Sequence, residues 1–268
     1  MPSTRKLSAS ALTQYLRSPK AYFWRYIARI EPLQPSVATF GHDLLFGKLW
    51  AEFTDRFYKG IDEAANTPQT MKAWLNGSEG WVPDKARDTK TKALETLMPQ
   101  YYQMFRPDDG CRAPGKSELW LENDRFVAKL DGLSDDGIVH EVKTASRCPS
   151  ITEQLWKVGH SIQVKLYCVL ADAAGYCIEF AYKDPPHQIY RGPIEYVAAE
   201  QKLAWESELN ALADSIYALG DDPLHFPCHT DCCLLTKGMV SMCSYQILCD
   251  QGLNEETRIA FKQREKHT

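Results

Sequence analysis

Nowhere in the 268 residues does an apolar run approach the roughly 20 needed to cross a bilayer. The opening segment MPSTRKLSAS lacks the apolar core of a secretion signal, so a cytoplasmic location is expected. No low-complexity tract or internal repeat interrupts the chain, which argues against a solenoid and against extended disorder. Positive charge is not in excess: 31 Lys and Arg against 35 Asp and Glu leave a formal net charge of −4. That excludes a protein that coats nucleic acid through global charge, but not one that holds it in a local groove. Cysteine is the one residue in unusual supply. There are nine, and five of them fall between Cys228 and Cys249. In a chain expected to be cytoplasmic, such clustering points to metal binding before disulfides.

The organisation changes along the chain. LSASALTQYLRSPKAYFWRYIAR reads as two successive helices, the first capped by Ser10 or Ser8, the second by Ser18 with Pro19 at its first position. Leu44, Leu45, Leu49, Phe53 and Phe57 keep helical spacing over the next segment. NTPQTMKAWLNGSEGWVPD is loop-rich, and KTKALETLMPQYYQMF returns to helix. From residue 117 the pattern turns to strands. SELWLE, RFVAKLDGL and GIVHEVKTA, divided by Asn123-Asp124 and Asp135-Asp136-Gly137, predict a three-strand meander. ITEQLWKVGHSIQVKLYCVLADAAG then reads as one helix, and YCIEFAYKD and HQIYRG as two strands around Pro185-Pro186. A long helix opened by Pro193 follows, and the tail from Asp221 is cysteine-rich and irregular. Three segments are therefore expected to form one α/β domain: a helical part over 1–110, a core over 111–220 and a tail over 221–268.

The meander concentrates the chemistry. Strand periodicity sets Glu141 and Lys143 on one face while Val142 points the other way, and Asp131 lies in the preceding strand. Paired carboxylates offer hard oxygen ligands to Mg²⁺ or Mn²⁺, and a nearby lysine can orient a water or offset charge on a phosphate. The bland reading of this spacing is a solvated strand face, since D-x9-E-x-K recurs by accident. Gln163 and Tyr167, four apart in a helix, share a face. An amide and a phenol there can each hydrogen-bond phosphate without reading base sequence.

Four stretches in order resemble the PD-(D/E)xK nuclease superfamily, and within it the RecB-type nucleases, CRISPR adaptation nucleases and phage exonucleases. LSASALTQYLRSPKAYFWRYI is similar to the family's N-terminal S-x-L-x-x-Y-x-x-C-P-x-x-[FY] element, and AKLDGL to its G-x-[IL]-D-x-[LIV] strand. HEVKT is similar to [DE]-x-K-[TS], and SIQVKLYCVLA to the Q-x-x-x-Y helix. The resemblance implies a restriction-endonuclease-like fold, a mixed β-sheet flanked by helices. It implies that Asp131, Glu141 and the Val142 carbonyl hold Mg²⁺ or Mn²⁺ and that Lys143 is catalytic. Gln163 and Tyr167 would contact DNA, with Thr144, Arg147 and Lys165 as further candidates; Glu118 is either an additional metal ligand or an ordinary edge-strand residue.

Departures from the pattern are as informative. Leu45 stands where RecB-type enzymes keep a metal-binding histidine, which leaves His42 or Asp43 to replace it, or a site with fewer side-chain ligands. Lys129 precedes Leu130-Asp131 where the family has glycine. In iron–sulfur relatives one cysteine of the N-terminal element and three near the C-terminus hold a [4Fe-4S] cluster, but here Ser18 takes the first position and Val240 another. Three readings of the tail stand open: a cluster held by four of Cys228, Cys232, Cys233, Cys243 and Cys249, a zinc site using thiolates with His229 or His225, or reduced thiols without metal.

The expected function is a metal-dependent DNA nuclease, an exonuclease of phage or bacterial recombination and repair. Its expected partner is DNA, with a recombination or single-strand-binding protein as a further partner and no membrane. The alternative is a nuclease-fold module that binds DNA or protein without cutting. Strand polarity, preference for single or double strands, exonuclease against endonuclease action and oligomeric state are left open by these motifs.

Overall fold

The computed structural model of the protein describes residues 5–32, 41–61, 63–78, 84–105, 116–145, 150–227, 245, 248, 253–258 and 261–263. In chain order the elements are α1 (Ala9–Arg17), α2 (Pro19–Tyr22), β1 (Ile30–Pro32), α3 (Gly41–Tyr58), α4 (Pro68–Ser78) and α5 (Asp84–Met104). Then come β2 (Lys116–Glu122), β3 (Val127–Leu133), β4 (Ile138–Ala145), α6 (Ile151–Gly159) and α7 (Ile162–Leu170). They are followed by β5 (Gly175–Tyr182), β6 (Gln188–Arg191), β7 (Glu195–Tyr196), α8 (Ala199–Ala218), α9 (Glu255–Arg258) and β8 (Phe261–Gln263). Two units emerge: Met1–Ser36 with Asp124–Val127 and Ser207–Thr268, and Val37–Asn123 with Ala128–Glu206.

In the first unit the predicted caps are in place. The Ser8 hydroxyl accepts from the Ala11 N–H and opens α1, and the Ser18 hydroxyl accepts from the Ala21 N–H and opens α2. Pro19 occupies the first helical position, where its missing N–H leaves nothing unpaired. α2 runs on into a π-helical turn over Phe23–Ile27. The dense aromatics of this stretch pack on one another and on the chain's far end. Tyr22 stacks on Tyr26 at 5.3 Å between centroids, and Phe226 lies 5.3 Å from Phe23. β1 pairs antiparallel with β8, and the Tyr245 hydroxyl donates to the Ile30 carbonyl.

The second unit holds a six-stranded mixed sheet in the order β2-β3-β4-β5-β6, with β7 also paired to β5. The meander forms as expected, β3 and β4 running antiparallel. β4 and β5 are parallel over eight residues each, a pairing that needs a crossover, and α6 and α7 supply it. α3 packs on β2 and β4, α5 on β6, and α6 and α7 on β5. With both faces covered, β5 is buried from Gly175 to Ala181. This is the mixed α/β, restriction-endonuclease-like architecture anticipated above. Its core joins Phe46, Leu49, Trp50 and Phe53 of α3 to Leu97 and Tyr101 of α5 and to Ala181 and Ile189 of the sheet. Truncating a fully buried residue such as Trp50 to alanine would cost about 3–5 kcal/mol.

Three local expectations are corrected. The loop-rich stretch after Asn66 contains α4, because Thr67 and Thr70 cap reciprocally: each hydroxyl accepts from the other's N–H. The single helix expected over residues 151–175 is two. The Ser161 hydroxyl accepts from the Val164 N–H and starts a new helix, just after Gly159 meets the Tyr176 ring too closely for any side chain. α8 begins at Ala199 and not at Pro193, since β7 first pairs with the start of β5. Gly175 permits that pairing, as a Cβ there would stand 2.6 Å from the Glu195 carbonyl oxygen.

Candidate active site

The ladder between β3 and β4 ends at Gly132 opposite His140. One residue further, the Asp131 carboxylate takes over the backbone's role, Oδ2 accepting from the Val142 N–H at 2.9 Å. A cleft of about 160 Å³ opens beside it, lined by Asp131, Val142, Lys143 and Thr144 of the strands, Glu118 of β2, and Gly47, Trp50, Ala51, Thr54 and Asp55 of α3.

Glu141 is wholly buried. Lys143 Nζ pairs with its Oε1, while Oε2 has no hydrogen-bond partner. Burial, and then the neighbouring charge of Asp131, push the Glu141 carboxyl up to about 8, against the pull of Lys143. Burial also raises Asp131, opposed by the Val142 N–H and by Lys143. Two raised carboxylates side by side are a site short of positive charge. Lys143 Nζ donates on to Gln163 Oε1 at 2.8 Å, and Gln163 Nε2 to the Tyr167 hydroxyl at 2.8 Å. A continuous row thus links Glu141, Lys143, Gln163 and Tyr167. Tyr167 is held as a neutral phenol, its ionisation opposed by burial and by both carboxylates.

The other predicted residues are distributed as follows. Glu118 lines the cleft but is ion-paired with Lys129, the residue in the family's glycine position. Its backbone has φ of 52°, the left-handed region that costs a β-carbon-bearing residue about 1–2 kcal/mol. Thr144 lines the cleft, while Lys165 on α7 does not. His42 and Asp43 fall on the first turn of α3, whose side chains lie outside those described, and Arg147 also lies outside the described residues. So do Cys228, His229, Cys232, Cys233, Cys243 and Cys249. Among the described residues no three His, Cys, Asp or Glu converge on one metal position.

Two features escaped the sequence. Asp55 reaches the cleft from α3, where it accepts from the Ser117 hydroxyl at 2.7 Å and pairs with Lys59. Between Glu52 and Arg56 on an amphipathic helix it looks like any surface charge. The second is a buried polar network on the opposite side of β4. Glu179 accepts from Arg191 Nη2 at 2.6 Å, Arg191 Nε at 3.0 Å and the Tyr101 hydroxyl at 2.8 Å, with Tyr58 and His140 beside it. Although burial works against it, these donors hold the Glu179 carboxyl down at about 2. Arg191 in turn lies 4.1 Å over the Phe105 ring.

The family model of the PD-(D/E)XK nuclease superfamily matches residues 6–250. Among solved structures, that of a "putative exonuclease" from Eubacterium rectale superposes with a TM-score of 0.52 at 12% identity, over 93% of this chain and 94% of that one. A phage-related exonuclease from Haemophilus somnus 129PT gives a TM-score of 0.38 at 14% identity, over 80% and 94%. No curated protein matches. No described helix is long and apolar enough to cross a membrane.

Proposed function

The chain belongs to the PD-(D/E)XK nuclease superfamily, and from that premise we propose that it is a divalent-metal-dependent DNA nuclease acting as an exonuclease in phage or bacterial recombination and repair. The observation that carries this reading is the pairing of Asp131 with a fully buried Glu141 whose Oε2 is unmatched, next to Lys143. Two carboxylates raised by burial, Glu141 further by the charge of Asp131, favour a cation of double charge, and oxygen donors suit Mg²⁺ or Mn²⁺. Asp131, Glu141 and the Val142 carbonyl would hold it. When bound, the ion supplies positive charge against the phosphate oxygens and acidifies water.

This chain's residues do the rest. Lys143, fixed between Glu141 and Gln163, presents its ammonium in the cleft, where it holds the attacking water and offsets the charge that develops on the phosphate during in-line displacement. Gln163 and Tyr167 continue the row and steady the backbone of the bound strand with an amide and a neutral phenol. What supports the exonuclease form is the resemblance of the four ordered stretches to motifs of RecB-type and phage exonucleases.

The test is degradation of 5′- and 3′-labelled linear DNA and of closed circles with Mg²⁺ or Mn²⁺. Shortening of linear DNA that stops on chelation, is lost in Asp131→Asn and spares circles is the expected result. Cut circles would remove the exonuclease form, and DNA that is shifted in a gel but never shortened would leave only the non-cutting alternative.

A further inference from the structure

On α6 two sets of side chains separate. Gln154 accepts from the Tyr182 hydroxyl at 2.6 Å, and Leu155 packs over Gly192 of the sheet. The solvent side carries Glu153, Trp156, Lys157 and His160, and Trp156 is 62% exposed. The indole is not loose. It stacks on the His160 ring, 4.7 Å between centroids and 26° between planes. His160 Nδ1 lies 2.9 Å from the Trp156 carbonyl, which can only accept, so Nδ1 carries a proton and the imidazole is fixed against the indole. Trp120 and Tyr196 are equally exposed, yet among the described residues neither has a ring stacked against it. Trp156 alone of the three is braced.

A braced indole that is largely exposed suits a flat ligand, and its place in the chain, between β4 and the helix that carries Gln163, indicates which. α6 follows directly after β4, which carries Glu141 and Lys143, and His160 stands three positions before Gln163, the residue that holds Lys143. The geometry points to Trp156 and His160 as a stacking platform for an unpaired nucleobase of the strand whose backbone enters the cleft lined by Asp131 and Lys143. Single-stranded ends are then the preferred substrate, because paired bases already have their faces covered within the duplex. Stacking of this kind is indifferent to base identity, since every base has a π face. The inference rests on the nuclease reading above and adds to it a substrate form.

The experiment measures binding of a short end-labelled oligothymidylate by fluorescence anisotropy in Ca²⁺, with single abasic sites moved along the oligonucleotide. Trp156→Ala is expected to bind about tenfold more weakly and Trp156→Phe to keep affinity within about threefold of wild type. One abasic position should cost the wild type about tenfold and cost Trp156→Ala nothing further. A merely structural tryptophan would not produce that non-additivity. Equal abasic losses in both proteins, or unchanged binding by Trp156→Ala as a protein-docking role would give, overturns the platform. Failure of the wild type to degrade any DNA with Mg²⁺ or Mn²⁺ overturns the nuclease reading instead.

Discussion

Glu141 and Glu179 are both wholly buried, on the adjacent parallel strands β4 and β5, yet their carboxyls are displaced in opposite directions, to about 8 and to about 2. Burial opposes the charge on each; the partners make the difference. Glu179 has a guanidinium, two phenols and an imidazole around it, and so remains an anion in the core. Glu141 has one ammonium, an oxygen without a hydrogen bond and a second carboxylate for a neighbour. A satisfied buried charge can serve the architecture alone, whereas the unsatisfied one is what the proposed cation would complete. Opposite sides of β4 thus do different work. One fixes the sheet against α3 and α5, and the other faces the row of Lys143, Gln163 and Tyr167.

The strongest way to sharpen this contrast is to neutralise each side in turn. Glu141→Gln is expected to lower DNA degradation by about 10⁴-fold, equivalent to about 5.4 kcal/mol, measured as initial rates on end-labelled DNA, while circular dichroism stays native. On the other side, Arg191→Met strands the Glu179 charge and is expected to cost about 3–5 kcal/mol in urea unfolding. Adding Glu179→Gln to it should recover part of the loss, because the stranded charge is gone.

Divalent ion separates the two sides next. At a Mg²⁺ concentration 100 times its dissociation constant, wild-type protein should gain about 2.7 kcal/mol, seen as a rise in Tm. Glu141→Gln should gain much less, and Arg191→Met should still respond.

The pH dependence of stability without metal gives the clearest sign. Glu141 is raised above the ordinary glutamate value of about 4.3, so its contribution is fully present below that value and is lost as pH rises through about 8. Glu179 is depressed, so its contribution is present above about 4.3 and is lost as pH falls towards about 2. Wild-type stability should therefore decline on both sides. In Glu141→Gln the decline between about pH 4.3 and about 8 should flatten, leaving the variant more stable than wild type at pH above about 8 by more than about 1 kcal/mol; denaturant midpoints across pH would show it.

What the sequence disclosed of this contrast is uneven. Asp131, Glu141, Lys143, Gln163 and Tyr167 stood out as candidates because strand and helix periodicity align them within a short stretch and because that stretch resembles the family's motifs. The structure joins Glu141, Lys143, Gln163 and Tyr167 in one row, with Asp131 bonded to the Val142 N–H. Ser8 and Ser18 were legible as caps for the same local reason, and the Ser18 hydroxyl proves committed to capping α2. Glu179 was not legible, since within YCIEFAY it is one polar residue in an apolar strand. Its partners come from positions 58, 101, 140 and 191, brought together only by the fold. Asp55 was hidden for a related reason, because its role depends on which face of α3 meets the cleft. α4 was missed because its cap uses Thr70 where the usual reciprocal motif has Glu or Gln.

The central claim is that the unsatisfied side of β4 hydrolyses DNA, and Lys143→Ala tests it most directly. End-labelled linear DNA, single- and double-stranded, is incubated with wild type and variant in Mg²⁺ or Mn²⁺, with the fold of each monitored by circular dichroism. The account predicts cation-dependent shortening by the wild type and none by a natively folded Lys143→Ala. Shortening by the variant at the wild-type rate would contradict it.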